Sequence, residues 1–265
     1  MKEKIVVITG ASSGIGSATA RLFAKNGYTV YGLSRRKMNV NEFFEIQADV
    51  NDEASVKRAV AEVVQKHGRI DVLINNAGFA MVGAAEESSI EQVKSMFETN
   101  FFGAIRATNA VLPIMRKQRS GRILHTSSIV GFVPAPYMTF YGASKHALEG
   151  YSESLDHEVR SFGIRSILVE PSFMNTSINT HQSEPDLPIQ DYAQKREQIA
   201  RFVSSGIASA PSPDLVAEKF LEAAESAKPK LRYPVGKDAE RTTPLKRFVP
   251  SSLFDKIFRA NFKLD

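Results

Sequence analysis

The feature that most constrains this chain is a rhythm. Uninterrupted apolar runs of strand length ("KIVVIT", "YTVYGLS", "FFEIQAD", "IDVLINN", "GRILHTSS", "IRSILVEP") alternate with helix-length segments. Among the latter are "GIGSATARLFAKNG", "DEASVKRAVAEVVQKHG", residues 88–118 and "FYGASKHALEGYSESLDHEVRSFG". A strand with one wet face alternates apolar and polar residues; most of these do not, so both their faces are covered. Apolar strands separated by helices predict a parallel sheet with helices on both sides, an α/β doubly wound fold. Glycines close several helices, Gly27 among them, as expected of a left-handed C-terminal residue.

The 265 residues, 43% of them hydrophobic, suit a single domain with one sizeable core. The rhythm breaks over residues 172–212, which hold the cluster "SEPDLP" and a helical piece near 189–203. A segment leaving the carboxyl end of a strand in this architecture lies where ligands bind, so it is expected to be a substrate lid. "PDLVAEKFLEAAESA" reads as a helix with Pro in its first turn and "KLRYPVG" as a last strand. The tail 244–265 is amphipathic, with Leu253, Phe254, Ile257, Phe258 and Phe262 on roughly one side. It is expected to pack over the substrate region or against another subunit of a homodimer or homotetramer; peripheral membrane contact is the alternative.

Composition excludes several classes. There is no cysteine, so disulfides, thiolate chemistry and Cys-ligated metal are out. His67, His125, His146, His157 and His181 are scattered without metal-ligand spacing, and no metal is expected. The net charge of +5 comes largely from basic residues near the C-terminus, with no aromatic or motif support for nucleic-acid binding. No secretory leader and no 18-residue apolar run is visible, so a cytoplasmic protein without a membrane span is expected.

After the first strand comes "TGASSGIG", with Gly10, Gly14 and Gly16. Such glycines let backbone turn tightly and approach a pyrophosphate, whose charge the following helix N-terminus favours. The spacing differs from G-x-G-x-x-G, and a plain tight turn is the competing reading. A dinucleotide site also needs a partner for the adenosine ribose. Where an acid would bond its 2′-hydroxyl, strand two ends in Ser34, Arg35, Arg36 and Lys37. Guanidinium groups attract a 2′-phosphate and bond it bidentately, so NADP(H) is favoured over NAD.

Tyr141 and Lys145 stand four apart on a helical segment and share one face. A nearby ammonium favours a phenolate, so Tyr141 is expected to titrate below its usual value and exchange a proton near neutral pH. Ser128, thirteen residues earlier, sits where its hydroxyl can bond a substrate oxygen. An ordinary amphipathic helix pair is the alternative. Together "TGASSGIG", "NNAG" (75–78), Asn100, Ser128 and "YGASK" resemble, in order and spacing over residues 3 to about 176, the short-chain dehydrogenases/reductases.

That resemblance implies a Rossmann-type single domain and an oxidoreductase that interconverts a ketone or aldehyde and an alcohol. It implies that Asn100 holds a water continuing a proton relay and that Lys145 also bonds the nicotinamide ribose. It places Ser12, Ser13 and Ile15 at the phosphates, Asp49 and Val50 beside adenine, and Asn76, Ala77 and Gly78 along the adenosine ribose. "PSFMNT" resembles the family's Pro-Gly-x-x-x-Thr, putting Pro171, Met174 and Thr176 by the nicotinamide; Ser172 stands where the family has glycine, making the backbone there less permissive. Phe79, Val130, Phe132, Val133, Tyr137, Phe173 and Met174 suggest an apolar pocket for a lipophilic, steroid-like substrate, similar to 17β-hydroxysteroid and retinol-type members. Of the two tyrosines in "PYMTFYGASK", Tyr141 is the expected catalyst and Tyr137 a pocket wall. A 3-oxoacyl-thioester reductase and a non-catalytic NADP-binding sensor are the competing functions.

Overall fold

The computed structural model describes residues 3–176 and 184–262. The Ile- and Val-rich runs form strands because helices cover both their faces. β1 (Ile5–Thr9) and β4 (Val72–Asn75) are buried along their whole length. They are joined by β2 (Thr29–Ser34), β3 (Phe44–Gln47), β5 (Gly121–Thr126), β6 (Ile164–Pro171) and β7 (Arg232–Val235). All pair in parallel, in the order β3-β2-β1-β4-β5-β6-β7. The order reverses between β1 and β4, which opens a crevice at the carboxyl ends of those strands.

Period two divides each strand between two cores. Val6 and Ile8 point at α1 (Gly14–Lys25) and α7 (Asp214–Glu225), packing against Phe23, Val216 and Phe220. Ile5 and Val7 point at α2 (Glu53–His67), α4 (Gly103–Gln118) and α5 (Thr139–Val159), packing against Val56, Val60, Val111 and Leu155. Phe23 and Phe220 are fully buried, each stabilising the fold by about 1.5–3 kcal/mol relative to exposure. The remaining helices are α3 (Ile90–Phe97), α6 (Gln190–Ala208), α8 (Lys237–Phe248) and α9 (Ser251–Phe262). A π-helical turn, Glu98–Phe102, joins α3 to α4 and carries Asn100.

The helical piece expected at 189–203 is α6, five residues longer at its carboxyl end. The tail is two helices rather than one amphipathic run. Val249 is extended, the conformation favoured before proline, and Pro250 separates α8 from α9. Residues 177–183 of the expected lid, with His181, residues 263–265 and the side chains of Ile257, Phe258 and Phe262 lie outside the described residues. No helix among the described residues is long and apolar enough to cross a membrane.

Candidate active site

The loop from β1 to α1 is built to hold an anion. Helix α2 is capped conventionally: Asp52 accepts from the Ala54 N–H and Glu53 sits in the first turn. Helix α1 has neither device; Ser13 makes no side-chain cap bond and the first turn has no acid. Its first N–H groups therefore remain available to a ligand. Gly10 and Gly14 have positive φ (69° and 54°), and a Cβ on Gly10 would stand 2.8 Å from the Ala77 Cα. Gly16 has no such φ, and a Cβ there would run into the Gly10 carbonyl oxygen. Gly16 therefore brings helix close to strand instead of lining the site, which departs from its expected cofactor contact. Asn76 ties the loop down, its Nδ2 donating to the carbonyls of Thr9 and Gly10 at 3.1 Å.

From this loop one continuous cavity of about 840 Å³ runs across the strand ends. Its first arm is lined by Gly10, Ser12, Ser13, Gly14 and Ile15, by Ser34, Arg35 and Arg36 at the end of β2, and by Asp49 and Val50 after β3. Asn76, Ala77 and Gly78 continue the wall to Pro171, Met174 and Thr176. Apart from Gly16 and Lys37, the residues expected at a dinucleotide thus face one space. The glycine cradle and the uncapped helix end fit the pyrophosphate of a nicotinamide dinucleotide. The serine at 172 is accommodated without strain. It is not among the positive-φ residues, and its hydroxyl sits in the space left by Gly236.

At the cavity's centre α5 brings Tyr141 and Lys145 to the carboxyl end of β5, beside Ser128. The Ser128 hydroxyl accepts from the Val130 N–H at 3.3 Å and donates to the Pro171 carbonyl at 3.4 Å. The Lys145 ammonium donates to the Thr126 carbonyl at 2.8 Å and lies 5.7 Å from the Tyr141 ring centre. Burial pushes the Tyr141 phenol up to about 12, with the neighbouring Ser128 hydroxyl pulling the other way. Burial lowers Lys145 to about 8, offset in part by Glu149. The expectation that the ammonium depresses the tyrosine is therefore overturned for the protein alone. Desolvation outweighs it, and the ammonium is directed at a backbone carbonyl.

Asn100 lies behind this centre, buried. Its Oδ1 accepts from the Phe79 N–H at 3.0 Å, and its Nδ2 donates to the Phe79 carbonyl at 2.9 Å and the Ser144 hydroxyl at 3.2 Å. The side chain holds the segment after β4 in place and does not line the cavity. His125, also fully buried on β5, approaches Asn75 and Ser166 at 3.3 Å, and burial drives it down to about 3. Among the described residues no cluster of His, Asp and Glu could hold a metal ion.

The second arm is apolar. Val130, Val133, Met138 and Phe173 line it, as do Ile199, Val203 and Ile207 of α6 and Leu245 and Phe254 of the C-terminal helices. Tyr137 and Phe132 are not in this wall. Tyr137 has φ 60°, and its ring packs edge-on against Tyr192 of α6 at 6.2 Å, so its place is under the lid. The α6 residues escaped the sequence reading, although Ile199, Val203 and Ile207 recur every four residues and mark one helical face.

Fold and site define the class: an oxidoreductase built on a doubly wound parallel sheet, with Ser, Tyr and Lys gathered at its strand ends. Residues 4–186 match the short chain dehydrogenase family, and the chain belongs to it. It is 44% identical over 196 residues to the 3-ketodihydrosphingosine reductase of Bacteroides thetaiotaomicron, covering 73% of each chain. A short-chain dehydrogenase from Streptomyces avermitilis has the same fold, with a TM-score of 0.84 and 32% identity over 97% of this chain and 98% of that one. A short chain dehydrogenase/reductase from Burkholderia phymatum, solved with NAD, gives a TM-score of 0.80 and 25% identity over 92% of both chains. Solved neighbours carry NAD in some cases and NADP in others.

Proposed function

We propose that the protein is an NADP(H)-dependent oxidoreductase interconverting a lipophilic ketone and a secondary alcohol, with Tyr141 exchanging the proton. The observation that carries this reading is the shape of the cavity: a polar arm ending at Arg35 and Arg36 and an apolar arm walled by α6 meet at Tyr141. A bound nicotinamide dinucleotide would supply or accept the hydride. Gly10, Ser12, Ser13, Gly14 and Ile15 would hold its phosphates, and Arg35 and Arg36, with Ser34, the 2′-phosphate that distinguishes NADP. The chain's own residues do the rest. Ser128 orients the substrate oxygen, Tyr141 holds a proton at Oη for it, and Lys145 adds positive charge below the phenol. Asn100 keeps the Phe79 backbone in place, which fixes that edge of the site.

The apolar arm suits a lipophilic substrate, and we take an extended alkyl chain as its occupant in preference to a rigid ring system. The curated relative's name, 3-ketodihydrosphingosine reductase, supports that choice. The competing sensor reading is disfavoured by the complete Ser128, Tyr141 and Lys145 set. The test is NADPH consumption with a panel containing a long-chain 3-oxo sphingoid base, a steroid ketone, a 3-oxoacyl thioester and a sugar. The expected result is kcat/KM rising with alkyl chain length. Turnover of the sugar alone would overturn the substrate class, and tight NADPH binding with no turnover of any substrate would favour a sensor.

A further inference from the structure

Helix α6 reaches the site from outside the sheet and belongs to neither of the two main cores. Ile199, Val203 and Ile207 on its inner face are buried with Ala80, Val82 and Met138 in a separate cluster, and Tyr141 and Phe173 pack against them. The position of this one helix therefore sets the width of the apolar arm. Its amino-terminal end is held by polar contacts centred on a buried acid. Glu87, fully inaccessible, closes a 3-10 turn (Ala85–Glu87) just before α3. One carboxylate oxygen, Oε1, accepts from the Ile189 N–H at 2.9 Å and pairs with the Arg196 guanidinium. The other, Oε2, accepts from the Ala84 N–H at 2.8 Å, and the Glu87 carbonyl accepts from the Leu187 N–H at 2.8 Å. The two sides of this junction are about a hundred residues apart in sequence.

The surrounding contacts run the same way. Asp186 accepts from the Ser89 N–H at 2.8 Å, the Gln92 side chain donates to the Glu184 carbonyl at 2.7 Å, and Tyr192 donates to Glu86. Pro185 lies so near Gly83 that a Cβ on the glycine would stand 2.9 Å from the Pro185 Cβ. Residues 184–196 thus dock on residues 83–92, and the buried ion pair is the centre of that dock.

We propose that Glu87 and Arg196 form a latch that fixes α6 over the apolar arm and so determines which substrates fit. Neither residue lines the cavity, so the pair acts through the helix and not on the reacting atoms. Removing one partner leaves the other charge poorly solvated, with the Arg196 side chain only 23% exposed. Both main cores lie elsewhere, so the loss falls on the lid. The proposal rests on the reading of the apolar arm as the substrate's place.

The test combines amide exchange on the full chain with steady-state kinetics for Glu87→Gln, Arg196→Met and Arg196→Lys. For the first two variants, exchange over residues 190–208 is expected to accelerate by at least about tenfold, with α5 and the strands unchanged. KM for a long-chain ketone is expected to rise about tenfold, while KM for a small ketone and the NADPH dissociation constant stay within about twofold. Arg196→Lys, which keeps the charge, is expected to recover most of both effects, and Arg196→Met covers the case in which Glu87→Gln does not fold. Exchange that accelerates throughout the protein would reduce the pair to general stability and overturn the proposal. So would a KM rise equal for small and long substrates. Local opening of α6 with every KM unchanged would also overturn the specificity role, and would place the failure in the substrate reading while leaving the dock itself intact.

Discussion

A buried imidazole measures how dry the floor of this site is. His125 is fully inaccessible between Asn75 and Ser166, with its neutral form favoured at about 3 against an ordinary value of 6.5. The sign follows from linkage. Below about 6.5 the unfolded chain takes up a proton that the folded protein refuses until about 3, so stability falls as pH falls through that window. Between about pH 7 and about pH 5 this one group removes about 2 kcal/mol of stability, worked from those two values. His125→Asn loses packing at every pH, but it also loses this dependence. Urea unfolding of both proteins at the two pH values isolates the term, because other titrating groups cancel in the difference of differences. The destabilisation caused by the variant is expected to shrink by about 2 kcal/mol at the lower pH. An equal destabilisation at both would show that water reaches His125.

The double variant Ser34→Asp, Arg35→Ala exchanges a guanidinium for a carboxylate at the expected 2′-phosphate position. It should lower NADPH preference over NADH by about 10- to 100-fold in kcat/KM, and unchanged selectivity would refute the assignment. Gly16→Val should destroy NADPH binding measured by fluorescence, because its Cβ meets the Gly10 carbonyl oxygen; near-normal affinity would show that the loop relaxes freely. Asp156→Ala should cost about 3–5 kcal/mol in urea unfolding, since the fully buried carboxylate accepts from Arg160, Arg165 and the Ser166 N–H; a change below about 1 kcal/mol would contradict that.

Much of the architecture was written in local signals. The seven strands stand close to where the sequence puts them; β1 and β4, covered on both faces, leave the plainest pattern, whereas β3 lies at the sheet edge with Phe44 exposed. The polar arm was legible for the same reason. Gly10 and Gly14 are needed by backbone geometry, and Arg35 and Arg36 follow directly from the end of β2. Long-range packing was not legible. Tyr137 reads as a pocket residue from its place beside Tyr141, but its backbone conformation turns it onto Tyr192. Glu87 looks like one more surface acid in "AAEESS" until the fold folds residues 184–196 over it. For Tyr141, i, i+4 spacing gives proximity to Lys145 but says nothing about desolvation, which is the larger effect.

The central claim is that Tyr141 carries the proton at the junction of the two arms. Its most direct test is the rate of NADPH oxidation by Tyr141→Phe with the best ketone of the panel, with NADPH affinity measured on the same preparation. For this variant kcat is expected to fall by about 10²- to 10⁴-fold, with the NADPH dissociation constant within about threefold of the parent. A variant that keeps more than about a tenth of the parent kcat would contradict it.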